Sequence, residues 1–300
     1  MATPPRPFRQ VDVFGTGPFS GNPLAVVHDA QGLGDEEMAR ISTWTNLSEC
    51  TFLLPPTQPG ADYRVRIFAA ATELPFAGHP TLGTARAWLD AGGVPAVPGR
   101  IVQECGVGLV TVREVGDGGE VGGADELAFE APALRRSGPL SDAELDDVLA
   151  VLGLGAEDVV EARWIDNGPG WIGVLLPDVE AVLAVRPDAS RRPGAWSIGV
   201  VGLYREDGAA AEAESGPRVE VRGFFSDGSG PMLEDPVTGS LNASVAQWLL
   251  GSGRVEAPYV AAQGRAVGRD GRVMITTGEA GAVWVGGAAV VAIRGEITTA

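Results

Sequence analysis

The sequence contains no lysine, because all 22 basic residues among its 300 are arginine. This absence excludes the Schiff-base lysine of pyridoxal enzymes and aldolases, the P-loop lysine and the ATP-binding lysine of kinases. Only two histidines are present, His28 and His79, so a three-histidine zinc site is impossible. No HExxH or GxSxG motif occurs, and no GxGxxG follows a convincing strand. An enzyme of this composition is expected to use carboxylates, without a cofactor or a metal.

Cysteine and long apolar runs are also scarce. The two cysteines, Cys50 and Cys105, give neither a disulfide framework nor a zinc-binding spacing. No apolar run approaches the roughly 18 residues that cross a bilayer, and MATPPRPFRQ lacks the apolar core of a signal peptide, so we expect a cytoplasmic protein. The net charge of −17 argues against nucleic acid and anionic membranes as partners. A small carboxylate bound by backbone amides remains compatible with that charge.

Two segments of the chain resemble each other, residues 65–87 (VRIFAAATELPFAGHPTLGTARA) and residues 221–243 (VRGFFSDGSGPMLEDPVTGSLNA). Aligned without a gap at an offset of 156, they share seven identical residues. A chance alignment of this length would give about one or two matches, so the pattern predicts an internal duplication.

Each copy reads as a strand, a loop and a helix rich in small residues, with the helices predicted over 79–90 and 238–250. The free amides and the dipole of a helix N-terminus favour a bound carboxylate. In the gapless alignment His79 matches Asp235, and each precedes a proline. The alternative is that both segments are capped helices of a duplicated fold with no site.

The rest of the chain contains many strands and few helices, which favours an α+β fold. A helix with Ser141 as N-cap and Glu144 completing a capping box is predicted in the second half. The glycine-rich stretch over 116–123 is predicted as a loop near a lobe boundary. We therefore expect an N-terminal lobe over 1–122, completed by a C-terminal strand over about 283–300, and a C-terminal lobe over 123–282.

Three residues are candidates for chemistry. Glu49 begins an apolar strand, His79 lies in GHP, and Asp235 lies in EDPVTGS. The alternatives are a strand-edge glutamate, a packing or capping histidine, and a turn aspartate before proline. The cysteines could form the acid–base pair of an epimerase, but neither lies at a helix start of the repeat, so we interpret both as buried small residues.

Five segments resemble the phenazine biosynthesis protein PhzF family, which shares the diaminopimelate epimerase fold. They are VDVFGTGPFSGNPLAVV, NLSECTFLL, RIFAAATELPFAGHPTLGTA, EDPVTGSLNASVAQWL and QGRAVGRDGRV, and they extend from about residue 9 to 273. The resemblance implies two lobes related by a pseudo-two-fold axis, each a curved, mostly antiparallel sheet wrapped around a central helix. It also implies an active site between the lobes, no cofactor, and a homodimer.

The same resemblance assigns roles to individual residues. It implies catalytic roles for Glu49, His79 and Asp235. The implied substrate-binding residues are Ser48, Gly78, Thr238, Gly239 and Ser240. The sequence departs from the family pattern at Cys50, where a threonine is common, and at the alanines after the strand in IFAAATELPF. These departures affect the shape of the pocket and leave the candidate base in place.

The first hypothesis is a cofactor-independent isomerase that moves a proton, and with it a double bond, in a small unsaturated amino or ring acid bearing a carboxylate. Arginine-only basic residues with abundant alanine and glycine suggest a GC-rich genome. The family resemblance then implies a role in secondary metabolite or antibiotic biosynthesis. The alternatives are an epimerase or racemase with two bases, for which only one clear base is visible, and a non-catalytic carboxylate-binding protein.

Overall fold

A computed structural model describes residues 4–115, 126–205, 216–228 and 230–299. The chain forms two compact units, the first comprising Met1–Glu130 with Gly286–Ala300 and the second Ala131–Val285. The predicted boundary between residues 122 and 123 and the predicted loop over 116–123 lie outside the described residues. None of the helices in the described part of the chain is both long and apolar enough to span a membrane.

Among its described residues, the first unit contains two α-helices and the N-terminal strands. Its elements are β1 (Arg6–Val13), β2 (Asn22–Val27), α1 (Asp35–Thr45), β3 (Glu49–Leu54), β4 (Tyr63–Ala69), β5 (Thr72–Leu74), α2 (Gly78–Asp90), β6 (Arg100–Cys105), β7 (Gly108–Glu114) and β8 (Glu126–Glu130).

The second unit contains the remaining elements. They are β9 (Arg136–Pro139), α3 (Asp142–Leu152), β10 (Glu161–Asp166), β11 (Ile172–Leu175), α4 (Val179–Ala184), β12 (Ala195–Leu203), β13 (Val219–Asp227), β14 (Leu233–Asp235), α5 (Gly239–Gly251), β15 (Tyr259–Gln263) and β16 (Gly271–Thr277). The long strand β17 (Val283–Ile297) begins in this unit and continues into the first. The sequence predicts that the second lobe begins with the segment of β8. In the structure this strand belongs to the first unit.

Strand pairing in the first unit is mostly antiparallel. β1 pairs with β2, β3 with β4, β4 with β5, β6 with β7 and β7 with β8 in antiparallel fashion, and the pairs β2–β3 and β4–β6 are parallel. β17 pairs with both β1 and β8, so the strands of this unit close on themselves. The helix α2 packs against six of these strands, and nine of its residues are buried.

The second unit repeats the same order of pairings. β10–β11, β12–β13, β13–β14 and β15–β16 are antiparallel, and β11–β12 and β13–β15 are parallel. Its helix α5 has ten buried residues and corresponds to α2. The two units are therefore two copies of one α+β plan, each with a buried central helix, and the predicted duplication is confirmed.

Several elements follow directly from local sequence signals. The capping box of α3 is present, with the Ser141 side chain accepting from the backbone N–H of Glu144 and the Glu144 side chain accepting from the backbone N–H of Ser141. The helix ends at Gly153, whose left-handed conformation (φ 71°) is the usual termination for a glycine after a helix. The repeat helices begin at Gly78 and Gly239, each within one residue of the position predicted from the sequence.

The hairpin before each central helix differs in length between the two copies. Phe68 in β4 lies opposite Glu73 in β5, whereas Phe224 in β13 lies opposite Glu234 in β14, so the second hairpin is five residues longer. A gapless alignment at an offset of 156 therefore fails after β4, because the extra residues lie in the hairpin loop. Beyond it the matching segments are ELPFAG and EDPVTG, each ending in the glycine that starts the central helix.

This register corrects the predicted match between His79 and Asp235. His79 is the second residue of α2, and its counterpart in α5 is Ser240. Asp235 is the last residue of β14, and its counterpart at the end of β5 is Leu74. The two ionisable residues thus occupy different positions of the repeated plan.

Candidate active site

Glu49 is placed by the start of β3, at the end of the strand nearest α2. Its side chain is about one-seventh exposed, at 15%. Successive side chains of a strand point to opposite faces, so Glu49 and Cys50 point in opposite directions. Cys50 packs into an apolar cluster with Met38 of α1 and Phe52 and Phe68 of the sheet. Glu49 therefore faces the central helix, and Cys50 faces the outer helix.

His79 lies beside Glu49 because it occupies the first turn of α2. Its Nε2 atom is 3.2 Å from Oε2 of Glu49, and its side chain is only 3% exposed. On the other side of the ring, Nδ1 is 3.2 Å from Nδ2 of Asn22, the fully buried first residue of β2. Three polar side chains from three different elements of the first unit therefore form a series of contacts: Asn22, His79 and Glu49.

The protonation state of His79 follows from its surroundings. Burial lowers the pKa of the imidazole to about 3, because a buried site disfavours the charged form. The ring is thus neutral at physiological pH and has one N–H donor and one nitrogen acceptor. A neutral ring next to the Glu49 carboxyl can exchange a hydrogen bond with it without forming a full ion pair.

The start of α2 is suited to an anion. Its N-cap residue is Ala77, which has no side chain able to cap the first helical amides. The Thr81 hydroxyl donates instead to the carbonyl oxygen of Ala77 over 2.9 Å and accepts from Nε2 of Gln103 over 3.0 Å. Gly78 begins the helix, and Ser48 is partly buried immediately before Glu49. These residues place backbone amides beside the pair formed by Glu49 and His79.

Asp235 belongs to a separate network in the second unit. Its Oδ2 atom accepts a hydrogen bond of 2.6 Å from the Thr238 hydroxyl. Gln263, at the end of β15, donates Nε2–H to the Thr238 hydroxyl over 2.9 Å and to the backbone carbonyl of Asp235 over 3.1 Å. The Gln263 side-chain oxygen accepts from the Thr238 amide and from Asn242. A buried glutamine therefore fixes the segment that presents the Asp235 carboxylate.

Ser240, next to Gly239 at the start of α5, is held by a loop of the second unit. Its hydroxyl oxygen accepts from Nε1 of Trp171 over 3.1 Å, and its backbone carbonyl accepts from Nδ2 of Asn167 over 2.8 Å. Both partners are nearly fully buried. The start of α5 is thus fixed by side chains from the segment IDNGPGW, which carries no chemical signal in the sequence beyond its turn residues.

The structure brings together only some of the predicted residues within each unit. Glu49 and His79 are in contact in the first unit, and Asp235 and Thr238 are in contact in the second. Sequence reasoning missed Asn22 and Gln263, whose amides hold these groups. Both residues lie inside segments that resemble the family, GNPLAVV and QGRAVGRDGRV. Their place in these segments was the only feature of the sequence that could have identified them as site residues.

The position equivalent to Glu49 in the second unit is a serine. Cys50 lies opposite Phe68 in the first unit, and Ile198 lies opposite Phe224 in the second, so Glu49 corresponds to Ser197. Together with Ser240 as the counterpart of His79, the second unit has hydroxyls where the first has a carboxyl and an imidazole. The acid–base pair is a feature of one copy only.

The structure confirms that both cysteines are buried. Burial raises the pKa of Cys50 to about 12 and also raises that of Cys105, so neither is a thiolate at neutral pH. Among the residues that the structure describes, no group of three or more His, Cys, Asp or Glu side chains is arranged to hold a metal ion.

We expect Cys50 to be inert toward thiol reagents in the folded protein. In a Cys105→Ser variant, Cys50 is the only thiol, and a disulfide reagent should leave it unmodified until denaturant is added, when one thiol per chain should react. The measurement is the absorbance of the released aromatic thiolate. Rapid labelling of the folded variant would show that Cys50 is accessible and reactive. A cysteine would then again be a candidate for the acid–base group.

Comparison with known proteins gives a match over nearly the whole chain. Residues 11–295 match the PhzC-PhzF family, described as phenazine biosynthesis-like protein. A trans-2,3-dihydro-3-hydroxyanthranilate isomerase from Pseudomonas fluorescens is 33% identical over 261 residues, which are 86% of each chain. Antisense-enhancing sequence 1 from Schizosaccharomyces pombe is 38% identical over 182 residues, and the match spans 60% of each chain.

A solved structure gives a similar result. The crystal structure of a predicted epimerase from Pseudomonas aeruginosa is 28% identical, covers 98% of this chain and 100% of its own, and superposes with a TM-score of 0.76. The α+β fold expected from the sequence is confirmed by this similarity.

Proposed function

Since the chain belongs to the PhzC-PhzF family of phenazine biosynthesis-like proteins and is an isomerase of that type, we propose that it moves a proton, and with it a double bond, along a small unsaturated carboxylate-bearing amino or ring acid. Glu49 takes the proton from a carbon next to the conjugated system, and the electron pair enters that system. The same carboxyl then returns a proton to the carbon at the other end. No atom is gained or lost, and the reaction needs no cofactor.

The observation that carries this proposal is the asymmetry between the two copies. Glu49 and His79 are 3.2 Å apart, whereas Ser197 and Ser240 occupy the equivalent places in the second unit. An acid–base pair in one copy suits a reaction in which one group removes and returns the proton. A neutral His79 can donate a hydrogen bond to the ionised carboxylate and orient it, while the negative charge that develops during the transfer lies on the conjugated system of the substrate.

The relatives and the helix start support a proposal for the substrate class. The relative from Pseudomonas fluorescens is named for trans-2,3-dihydro-3-hydroxyanthranilate. We place this chain's substrate in the same chemical class, a partly unsaturated ring acid with an amino group, made in secondary metabolite or antibiotic biosynthesis. The backbone amides of Gly78 and His79 would bind its carboxylate, with Ser48 beside them.

The second unit has polar groups of its own that suit ligand binding. Gly239 and Ser240 begin its central helix, and the Asp235 carboxylate, held by Thr238, is suited to a cationic amino group. Asp235 is thus given a binding role, and Glu49 the proton transfer.

The test is solvent isotope incorporation. Purified protein is incubated in D₂O with a panel of unsaturated and saturated amino and ring acids, beginning with trans-2,3-dihydro-3-hydroxyanthranilate, and products are followed by mass spectrometry and NMR. We expect a shifted double bond with only partial deuterium at the new C–H position. In a fraction of turnovers the single base returns the proton that it removed, before that proton exchanges with the solvent.

Two other results would contradict the proposal. Complete deuterium at Cα together with inversion of that centre would identify a two-base epimerase. Tight binding of the panel acids without any exchange or bond shift would identify a carboxylate-binding protein.

A further inference from the structure

Asn22 is a fully buried polar side chain in contact with His79 of the candidate acid–base pair. Its exposure is 0%, and its Nδ2 atom lies 3.2 Å from Nδ1 of His79. The proposed function above gives Asn22 no part in the reaction. It does not lie beside Glu49 along the sheet, since β2 places it two residues before Leu24, the residue opposite Glu49.

The backbone around Asn22 is fixed by the loop that precedes it. The Asp12 carboxylate accepts hydrogen bonds from the amides of Ser20 over 3.1 Å and Gly21 over 2.9 Å. Gly21 has no room for a side chain, because a Cβ there would lie 2.1 Å from the carbonyl oxygen of Val13. The amide of Asn22 is therefore held against the His79 ring by a tightly packed turn.

The orientation of this amide determines which ring nitrogen has the proton. A neutral imidazole has one N–H, and its location depends on the hydrogen bond that the other nitrogen makes. If Asn22 donates its NH₂ to Nδ1, then Nδ1 is the acceptor and Nε2–H points at Glu49. If Asn22 presents its oxygen instead, Nδ1 has the proton and a lone pair of Nε2 faces the carboxylate.

Only the first arrangement suits an ionised glutamate. A carboxylate oxygen accepts hydrogen bonds and repels another lone pair at 3.2 Å, so the second arrangement requires a protonated Glu49. Glu49 must be ionised before it can remove a proton from a substrate. The base is thus ready for reaction when Asn22 donates and His79 donates in turn.

We infer that Asn22 is a positioning residue that fixes His79 as the Nε2–H tautomer, and that through this tautomer it keeps Glu49 oriented as a base; the kinetic part of this inference rests on the proposed function. In the structure Asn22 Nδ2 contacts His79 Nδ1 at 3.2 Å, and His79 Nε2 approaches Glu49 Oε2 to the same distance, so a small turn of the carboxyl completes the relay. Asn22 does not touch the reacting atoms and acts only through the ring.

The chain is well suited to a direct test, because it has only two histidines. Protein labelled with ¹⁵N-histidine gives one set of ring signals for each, and a His28→Gln variant assigns them. Long-range ¹H–¹⁵N correlation at neutral pH should show His79 with an unprotonated Nδ1 and a protonated Nε2. A wild-type protein with a protonated Nδ1 would overturn the inference.

Two substitutions extend the test. Asn22→Asp keeps the shape but can only accept at neutral pH, so Nδ1 of His79 should become protonated. Asn22→Ser shortens the side chain and should leave a mixture of the two tautomers. For Asn22→Asp we expect kcat for the proton shift to fall by at least about 10²-fold with KM changed only a few-fold, as for a misoriented catalytic imidazole. For Asn22→Ser we expect kcat to fall only in proportion to the fraction of His79 that has lost the Nε2–H tautomer. The matched control is Asn46→Asp on the surface, which should change neither signal nor rate.

The outcomes separate this inference from the proposed function. The spectra need no substrate, so they test the tautomer independently of turnover. The expected tautomer together with no turnover of any panel acid would support the role of Asn22 and contradict the proposed proton shift in this substrate class. Turnover with an Asn22→Asp variant whose tautomer and kcat match wild type would refute the role of Asn22 and leave the isomerase standing.

Discussion

Replacing Glu49 by glutamine is expected to lower the rate of proton transfer by about 10²–10⁴-fold, the usual contribution of a positioned acid–base group. Glutamine keeps the size of the side chain and can still contact His79, but it cannot accept a proton from carbon. The residue is partly exposed and lies at the start of β3, so a side chain of the same size should leave the fold intact. The measurement is single-substrate kinetics with deuterium incorporation in D₂O.

The matched control for this experiment is Glu36→Gln, an exposed residue in the first turn of α1. It makes the same chemical change and should leave the rate within a few-fold of wild type. If Glu49→Gln retained most of the exchange, Glu49 would not be the base, and His79 or Asp235 would have to be tested in its place.

The fold could be predicted from the sequence because the plan is duplicated and each copy has strong local signals. Alternating apolar residues defined strands such as β1, and the capping box defined the start of α3. The hairpin between β13 and β14 could not be aligned, because β14 has only three residues and gives no detectable periodicity. The alignment therefore matched His79 with Asp235, although these residues correspond to Ser240 and Leu74.

The residues alone offered only titratable groups as candidates for chemistry, and the family resemblance added the implied substrate-binding residues. Glu49, His79 and Asp235 stand out because their side chains can transfer protons or hold charge. Asn22 and Gln263 do not titrate, and their roles depend on hydrogen-bond partners that are 57 and 28 residues away in the sequence. Long-range amide contacts of this kind cannot be inferred from one sequence, although both amides lie in segments that resemble the family.

The largest expected loss of stability is that of Arg222→Met, by about 3–5 kcal/mol, because it leaves a nearly buried carboxylate without its partner. Arg222 is 4% exposed and Glu234 12% in their side chains, and the guanidinium binds both oxygens of Glu234 at 2.9 and 2.7 Å. The same guanidinium donates to the backbone carbonyls of Val182 and Val185 at the end of α4. One side chain thus ties β13, β14 and α4 together, and β14 presents Asp235.

The duplication supplies the control for this prediction. Arg66 is the counterpart of Arg222 and binds Glu73 in the same two-pronged manner, but Glu73 is 44% exposed. Arg66 also binds Asp35, which is 83% exposed, so both carboxylates that lose their partner in Arg66→Met remain solvated and the change should cost only about 0–1 kcal/mol. Chemical denaturation followed by tryptophan fluorescence gives both free energies of unfolding.

The double variant Arg222→Met with Glu234→Leu should recover part of the loss, because it removes the unpaired carboxylate. Equal losses for the two arginines would show that burial of the carboxylate is not the cause, and that the contacts of Arg222 with α4 add little.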